Sequence, residues 1–529
     1  MKKVLSIALA LVLQTTVCAQ AQQLDPREQA IRKLLQSTMM INQMYVDTVN
    51  LDRQVEDAIT GMLSKLDPHS QYTNAKDTKK MNEPLQGNFD GIGVQFNMLE
   101  DTLVVIQPTS KGPSERAGIL AGDRIVTVND TAIAGVKMSR EDIMGKLRGP
   151  KGTHVTLGIV RRGIQGVLTF NIKRDKIPVN SLDAAYIVEP GIGLVRFSNF
   201  SATTHDEVVK AIKDLQQQGM KDLIIDLQGN GGGYLNAAAE LASEFLPEGQ
   251  MIVYTKGRGD VNLGEFRSTG GGLFTQGRIV VLVDEYSASA SEILAGAIQD
   301  HDRGTIVGRR TFGKGLVQRP LNLEDGSMIR LTIARYYTPA GRCIQKPYQK
   351  GDAKGYARDV IERYNRGELT HADSIHFPDS LRYKTLQPGR TVYGGGGIMP
   401  DIFVPLDTTR YTRMYRELSA RSYIVNASLR YMDQHRTRLA ARYPRFDDFR
   451  DDFTFPADDI NTMLAEAAQK DSLRARDDDE LQKTRVDVAR ILKALVARDL
   501  WDTTEYFQLI YADDPVLQQA IQCLRKQQE

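Results

Sequence analysis

Between residues 192 and 308 the chain alternates two patterns. IGLVRF (192–197), DLIIDL (222–227), RIVVLV (278–283) and TIVG (305–308) are short apolar runs, and segments with helical spacing lie between them at about 204–218, 234–246 and 289–300. Strand-like runs separated by helical segments imply an α/β core with a largely parallel sheet over roughly 180–340. In such sheets chemistry sits at the carboxyl ends of the strands.

The flanks differ. At 529 residues the chain exceeds what one core can organise. Residues 25–80 place Ile31, Leu34, Leu35, Met39, Ile41 and Met44 at helical spacing, and a second helix over about 51–65 stops before Pro68. From 86 to 177 short β-rich runs with glycine punctuation dominate. SREDIMGKLRG (139–149) reads there as a helix opened by Ser139, with Asp142 in the capping-box position. Residues 341–390 are polar and irregular and read as an insertion, and 391–407 returns to strand-like sequence. From about 410 the chain has helical spacing and many charges, interrupted at Pro444 and Pro456, with no evident chemistry.

Lys2 and Lys3 precede an apolar run at 4–13, and Ala19-Gln20-Ala21 offers a cleavage site. This predicts a secretory signal over 1–21 and an exported protein. Val17 is too large for a lipobox before Cys18. Cys343 and Cys523, which then remain, do not make a disulfide framework. A formal charge of +2 without a long lysine–arginine block gives no footprint for nucleic acid.

Two motifs could carry chemistry. GRRTFGKG (308–315) comes within one residue of a phosphate-binding loop, but Gly315 stands where the magnesium-binding Ser or Thr belongs. An exported protein also lacks a ready ATP pool, so nucleotide binding is set aside. SASASE (287–292) starts a helix directly after the strand 278–283. Ser289 and Glu292 have capping-box spacing, which alone explains one serine. A hydroxyl there is also placed as a nucleophile, with helix-start N–H groups at hand for an oxyanion. A serine needs a base. His301 beside Asp300 offers a Ser-His-Asp triad, although adjacent helical side chains diverge; His69, His154 and His205 are other histidines. Lys314, between glycines and flanked by Phe312, Leu316 and Val317, offers a desolvated amine. A surface lysine in a glycine turn fits the residues equally. G-x-S-x-G and H-E-x-x-H are absent.

Taken together, SASASEI and TFGKGLVQ, with 25 residues from Ser289 to Lys314, resemble the carboxyl-terminal processing peptidases, or tail-specific proteases. LDPHSQY (66–72) resembles their N-terminal helical motif. GIGV (91–94) and GPSERAGILAGDRIVTVND resemble a PDZ domain, and DLQGNGGGYL (226–235) resembles a glycine segment of the family. YGGGGIMPDIFV resembles the strand that closes the protease core. The resemblance implies a multidomain α/β chain: signal 1–21, N-terminal helical region 22–85, PDZ domain 86–177, crotonase-like protease core 178–407 with an insertion at 341–390, and C-terminal helical domain 408–529.

The resemblance further implies a serine endopeptidase with a Ser289–Lys314 dyad working through an acyl-enzyme, and Gln318 orienting the lysine. The oxyanion would rest on Gly232 and Ala290. Gly91, Ile92, Gly93 and Val94 would bind the C-termini of protein or peptide substrates, and Arg148 is a candidate for coupling the PDZ domain to the core. No metal, nucleotide or other cofactor is implied. The helical ends suit a homodimer, and a Gram-negative periplasm or envelope suits the signal. Gln228 departs from the family, which usually has arginine there, so a contact near the glycine segment is weaker or made by another residue. Three rival readings remain: an inactive PDZ scaffold that binds tails, a hydrolase using His301, and acyl-CoA chemistry on the core, against which export and the PDZ-like region argue.

Overall fold

The structure, a computed structural model, describes residues 25–526, so the expected signal at 1–21 lies outside it. The chain forms two compact units. One runs to Tyr72 and includes Gln349–Ala353; the other holds Thr73–Tyr348 and Lys354 onward.

The first unit contains helices Pro26–Met44 and Leu51–Leu63, opened by Asp25 and Asn50, whose side chains accept N–H bonds from Arg27 and Arg53. After the second helix the Asp67 carboxylate gathers the N–H groups of His69 and Ser70 at 2.9 Å each, turning the chain at Pro68. The helical spacing of the first helix is met, but among the described residues the helix buries none of its side chains. Ile31, Leu34, Leu35, Met39, Ile41 and Met44 are all exposed.

In the second unit a helix, Ala75–Gln86, leads into an antiparallel sheet. Its order is Val94–Leu99, Thr102–Pro108, Arg124–Val128, His154–Val160 and Leu168–Lys173. Leu103, Ile125, Leu157 and Ile143 fill its core. The helix Arg140–Leu147 is opened by Ser139, whose side chain accepts from the Asp142 N–H.

The α/β core follows. We number its strands β1 (Leu182–Glu189), β2 (Ile192–Phe197), β3 (Asp222–Asp226), β4 (Ile279–Val283), β5 (Thr305–Gly308), β6 (Leu316–Asn322), β7 (Met328–Tyr337) and β8 (Ile402–Phe403). The helices used below are α1 (Thr204–Gln217), α2 (Leu235–Ser243), α3 (Ala290–Asp300), α4 (Ala353–Asn365) and α5 (Pro515–Lys526). The main sheet has the order β1-β2-β3-β4-β5-β8, parallel from β2 to β8, with β1 antiparallel at one edge. β6 and β7 form a hairpin in a second sheet.

A parallel sheet must be covered on both faces. Val195, Ile225 and Val281 pack under α1, α2 and α3. Leu194, Ile224, Val280 and Leu282 pack against Leu517, Ile521 and Leu524 of α5. The charged tail therefore supplies the second cover of the sheet. The preceding helices Arg413–Ala420, Tyr423–Arg442, Phe446–Asp452, Ala457–Asp471 and Asp478–Leu500 share a separate core around Tyr431, Phe449, Met463 and Leu492. Pro444 falls in the break between two of these helices, and Pro456 immediately precedes Ala457–Asp471. Among the described residues no helix is long and apolar enough to cross a membrane.

Candidate active site

The sheet delivers β4 into a tight turn and then α3, and the three serines separate in role there. Ser287 is buried and donates to the Leu227 carbonyl at 2.8 Å; Ser291 is buried and donates to the Asn230 carbonyl at 2.8 Å. Both fasten the glycine segment to the helix start. Ser289, between them, has φ 56° and ψ −111°. A non-glycine residue held at positive φ costs on the order of 1–3 kcal/mol and persists where the surroundings impose it. The strain singles out the middle serine, which the sequence nominated through its resemblance alone.

Lys314 arrives from the other side, on the loop 309–315 between β5 and β6. Glu292, fully buried one turn into α3, joins the two. Its Oε2 accepts from the backbone N–H of Ser289 (2.8 Å) and of Lys314 (2.9 Å), and its Oε1 accepts from Gly313 N (2.7 Å) and Thr311 Oγ1 (2.6 Å). Burial pushes the Glu292 carboxyl up, while these four donors favour its ionised form. The Tyr336 hydroxyl of β7 lies against the carbonyls of the same two residues, Ser289 (3.0 Å) and Lys314. Its single proton serves one carbonyl at a time. Sequence spacing predicted Glu292 as a helix cap and gave no sign of Tyr336. The capping role is present, and the same carboxylate extends to the lysine loop.

The pKa of the Lys314 amine is shifted. Burial lowers its pKa, the Arg330 guanidinium lowers it further, and Glu292 opposes them; the net shift is downward from the usual lysine range. Arg330, on β7, was not anticipated from sequence. It is itself desolvated, and its guanidinium touches Met81 Sδ at 2.8 Å.

Three expectations need correction. His301 is the C-cap of α3, whereas Ser289 is its N-cap, so a helix of 11 residues, roughly 16 Å long, separates them. The His301 imidazole bonds the Met251 carbonyl at 2.7 Å, and Asp300 is taken by Arg342 and by Ala340 N. No Ser-His-Asp triad forms here. Among the described residues no hydrogen bond joins Gln318 to Lys314: a register shift between Val317 and Gln318 interrupts the β6–β7 ladder, and the amide Nε2 donates to the Leu316 carbonyl at 3.0 Å. Gly232 does lie against Ser289, since a Cβ there would stand 2.8 Å from Ser289 Cβ and 3.0 Å from Ala290 N. Its N–H, however, donates to Asn230 Oδ1 at 2.9 Å. Among the described residues no hydrogen bond uses the N–H of Ala290, the first residue of α3.

Gln228 has its compensation. Arg196 stands opposite Asp226 in the β2–β3 register, binds its carboxylate at 2.7 Å and donates to the Gln228 carbonyl at 3.0 Å. A guanidinium thus reaches this corner from the neighbouring strand.

In the antiparallel domain, Val94–Leu99 is an edge strand. Between it and helix Arg140–Leu147 lies a groove of about 280 Å³, lined by Ile92, Phe96, Met144 and Leu147 among others. Gly91 ends the preceding strand and Val94 begins this one. The Ile92 and Gly93 carbonyls are bonded by Ser114 and Thr109. Among the described residues no hydrogen bond uses the N–H of Ile92 or Gly93. Arg148, at the end of the helix, pairs with Glu83 and lies over the Phe89 ring at 4.5 Å. It is half-buried and engaged, not a freely exposed arginine.

An edge-strand peptide groove joined to an α/β core of this construction defines a PDZ-bearing serine-type peptidase. Residues 191–354 match peptidase family S41, 91–173 the PDZ domain, 9–78 the N-terminal domain of the activating protease CtpB, and 414–502 a family of unknown function. The chain is 39% identical over 309 residues to a carboxy-terminal-processing protease of Bartonella bacilliformis, covering 58% of this chain and 70% of that one. It is 34% identical over 391 residues to the carboxy-terminal processing protease CtpB of Bacillus subtilis, covering 71% and 79%. A solved photosystem II D1 C-terminal processing protease is 27% identical, with 70% of this chain and 92% of that chain covered and a TM-score of 0.35. The chain belongs to the carboxy-terminal processing protease family.

Proposed function

We propose that the protein is an exported endopeptidase that captures protein C-termini in its PDZ groove and cleaves peptide bonds with Ser289 as nucleophile and Lys314 as general base. The observation that carries this is the double tether: one carboxylate oxygen of Glu292 holds the backbone N–H of both residues, at 2.8 and 2.9 Å. Lys314, its pKa lowered by burial and by Arg330, takes the Ser289 proton in its neutral form as Oγ bonds to the scissile carbonyl carbon. The tetrahedral oxyanion rests on the Ala290 N–H and on a second donor from the glycine segment. Gly232 fills that place once its N–H leaves Asn230, each donor contributing about 3 kcal/mol. Lys314 then passes the proton to the leaving amine as the C–N bond breaks, and water hydrolyses the acyl-enzyme. Gln318 would orient the lysine through its Oε1, its Nε2 remaining on the Leu316 carbonyl.

Substrate tails would extend the sheet at Val94–Leu99, with the terminal carboxylate on the N–H groups of Ile92 and Gly93. The exposed apolar helix Pro26–Met44 suits a second copy of the chain, and the signal pattern suits a Gram-negative periplasm. The deciding experiment is cleavage of an unfolded protein with a free C-terminal tail. Ser289→Ala and Lys314→Ala abolish it, and His301→Ala does not. Tail binding without cleavage by the wild-type protein would instead establish the scaffold reading. Amidating the tail weakens binding; equal affinity rejects carboxylate capture. Fractionation for location and sedimentation with and without residues 25–47 test the remaining parts.

A further inference from the structure

Gln345, Lys346 and Arg363, within the stretch expected to be an irregular insertion, line the outer side of the lysine loop; that stretch in fact holds the helix α4 and the strand Arg382–Lys384. The loop 309–315 has no regular structure, yet both backbone groups of Thr311, Gly313, Lys314 and Gly315 are bonded. Glu292 and Tyr336 account for the inner side. Gln345, Lys346 and Arg363 account for much of the outer side. Arg363, on α4, has a fully buried side chain and donates to two consecutive carbonyls, Arg310 (2.6 Å) and Thr311 (3.0 Å). Lys346 N donates to the Gly313 carbonyl at 2.9 Å. Its buried ammonium sits 3.8 Å from the centre of the Phe312 ring and 4.1 Å from that of Tyr356, with Asp359 at 2.9 Å. Gln345 Oε1 accepts from Gly315 N at 2.8 Å. The approach is close enough to explain both glycines around the lysine. A Cβ on Gly315 would stand 2.8 Å from Gln345 N, and one on Gly313 3.0 Å from Lys346 Cβ.

Two buried cations directed at one loop are a costly way to close a surface segment. Against carbonyls and ring faces they fix position, which aliphatic packing does less sharply. We propose that Arg363, Lys346 and Gln345 are positioning residues that set the depth at which the loop presents Lys314 to Ser289. This rests on Lys314 being the base.

The test uses the full chain with Lys346→Met, Arg363→Met, Arg363→Lys and Gln345→Leu, and Lys314→Ala in parallel. Misplacement of a reacting group on the order of 1 Å costs about a hundredfold in rate. The proposal expects kcat and the rate of Ser289 labelling by a fluorophosphonate to fall at least about tenfold. KM and tail-peptide affinity stay within about twofold, and Arg363→Lys recovers part of what Arg363→Met loses. Wild-type kcat in folded Lys346→Met and Gln345→Leu overturns it. So does a loss of kcat matched by equal loss of tail binding and of melting cooperativity, which would mark a merely structural role. An active Lys314→Ala rejects the dyad itself; an inactive Lys314→Ala beside unaffected wall variants rejects this inference alone.

Discussion

Glu292→Gln changes one oxygen to nitrogen at the point where the backbones of Ser289 and Lys314 are tied together. The carboxylate now receives four donors, two on each oxygen. A glutamine offers one acceptor oxygen, so one pair of donors must face an NH₂ group. If the NH₂ takes the Oε2 place, the Ser289 and Lys314 N–H groups are both orphaned. If it takes the Oε1 place, Thr311 Oγ1 can turn from donor to acceptor, its proton rotating away, and Gly313 is the only backbone N–H orphaned. The second orientation therefore prevails. It costs about 1–3 kcal/mol for the buried unsatisfied donor, plus roughly 1 kcal/mol for each of the two bonds that lose charge assistance. We expect about 3–5 kcal/mol in all, divided between folding and the transition state. Urea unfolding would read the first share. Peptide-cleavage kcat, reduced by at least about tenfold for each 1.4 kcal/mol assigned to the second, would read the other. If Glu292→Gln leaves both unfolding free energy and kcat unchanged, the carboxylate does not tether the two segments and the reasoning fails.

Three further outcomes are expected. A lysine base must be neutral, so kcat rises with pH through the lowered Lys314 pKa; Arg330→Met removes a cation that lowers it and moves that rising limb to higher pH, whereas an unmoved limb in the pH–kcat profile would count against Lys314 as the titrating group. Burial opposes the charge on His205, but hydrogen bonds to Glu244 and Asp206 outweigh it and raise its pKa; this stability is fully present below about 6.5 and is lost as pH rises through the folded value, so the unfolding free energies of wild type and His205→Gln should converge as pH rises above that value. In Gly232→Ala the new Cβ meets the Ala288 carbonyl oxygen at 2.7 Å from a backbone at φ 97°, so fluorophosphonate labelling of Ser289 should slow by about tenfold or more, and labelling at the wild-type rate would show that the glycine segment does not abut the nucleophile.

The core sheet could be read from the chain because its information is local. Each of the runs 192–197, 222–227, 278–283 and 305–308 became a strand within a residue of the expected bounds, and the three intervening helices formed. Ser289 and Lys314 were paired in the sequence because two motifs fall at a fixed separation, and the fold brings their backbone N–H groups to one carboxylate oxygen. What escaped was whatever depends on partners distant in sequence. Leu517, Ile521 and Leu524 pair with Leu194 and Ile224 across some 300 residues, so nothing local marked the last helix as a cover for the sheet. Arg196 takes up the corner vacated at Gln228 from a neighbouring strand, which a linear pattern cannot announce. The apolar positions of Pro26–Met44 carried the right helical period, but periodicity reports an apolar face and not what lies against it.

The near-match of residues 308–315 to a phosphate loop is the sharpest case of one pattern serving two ends. In a phosphate loop glycines let backbone N–H groups close around an anion. Here the anion belongs to the protein: the Gly313 and Lys314 N–H groups close around the Glu292 carboxylate. The glycines admit Gln345 and Lys346 on the other side. With its backbone donors already occupied by a fixed internal carboxylate, the loop has none left at those positions for a phosphate. The backbone N–H of Lys314 hangs instead from the same carboxylate oxygen as that of Ser289, which leaves the lysine side chain free for the task proposed for it.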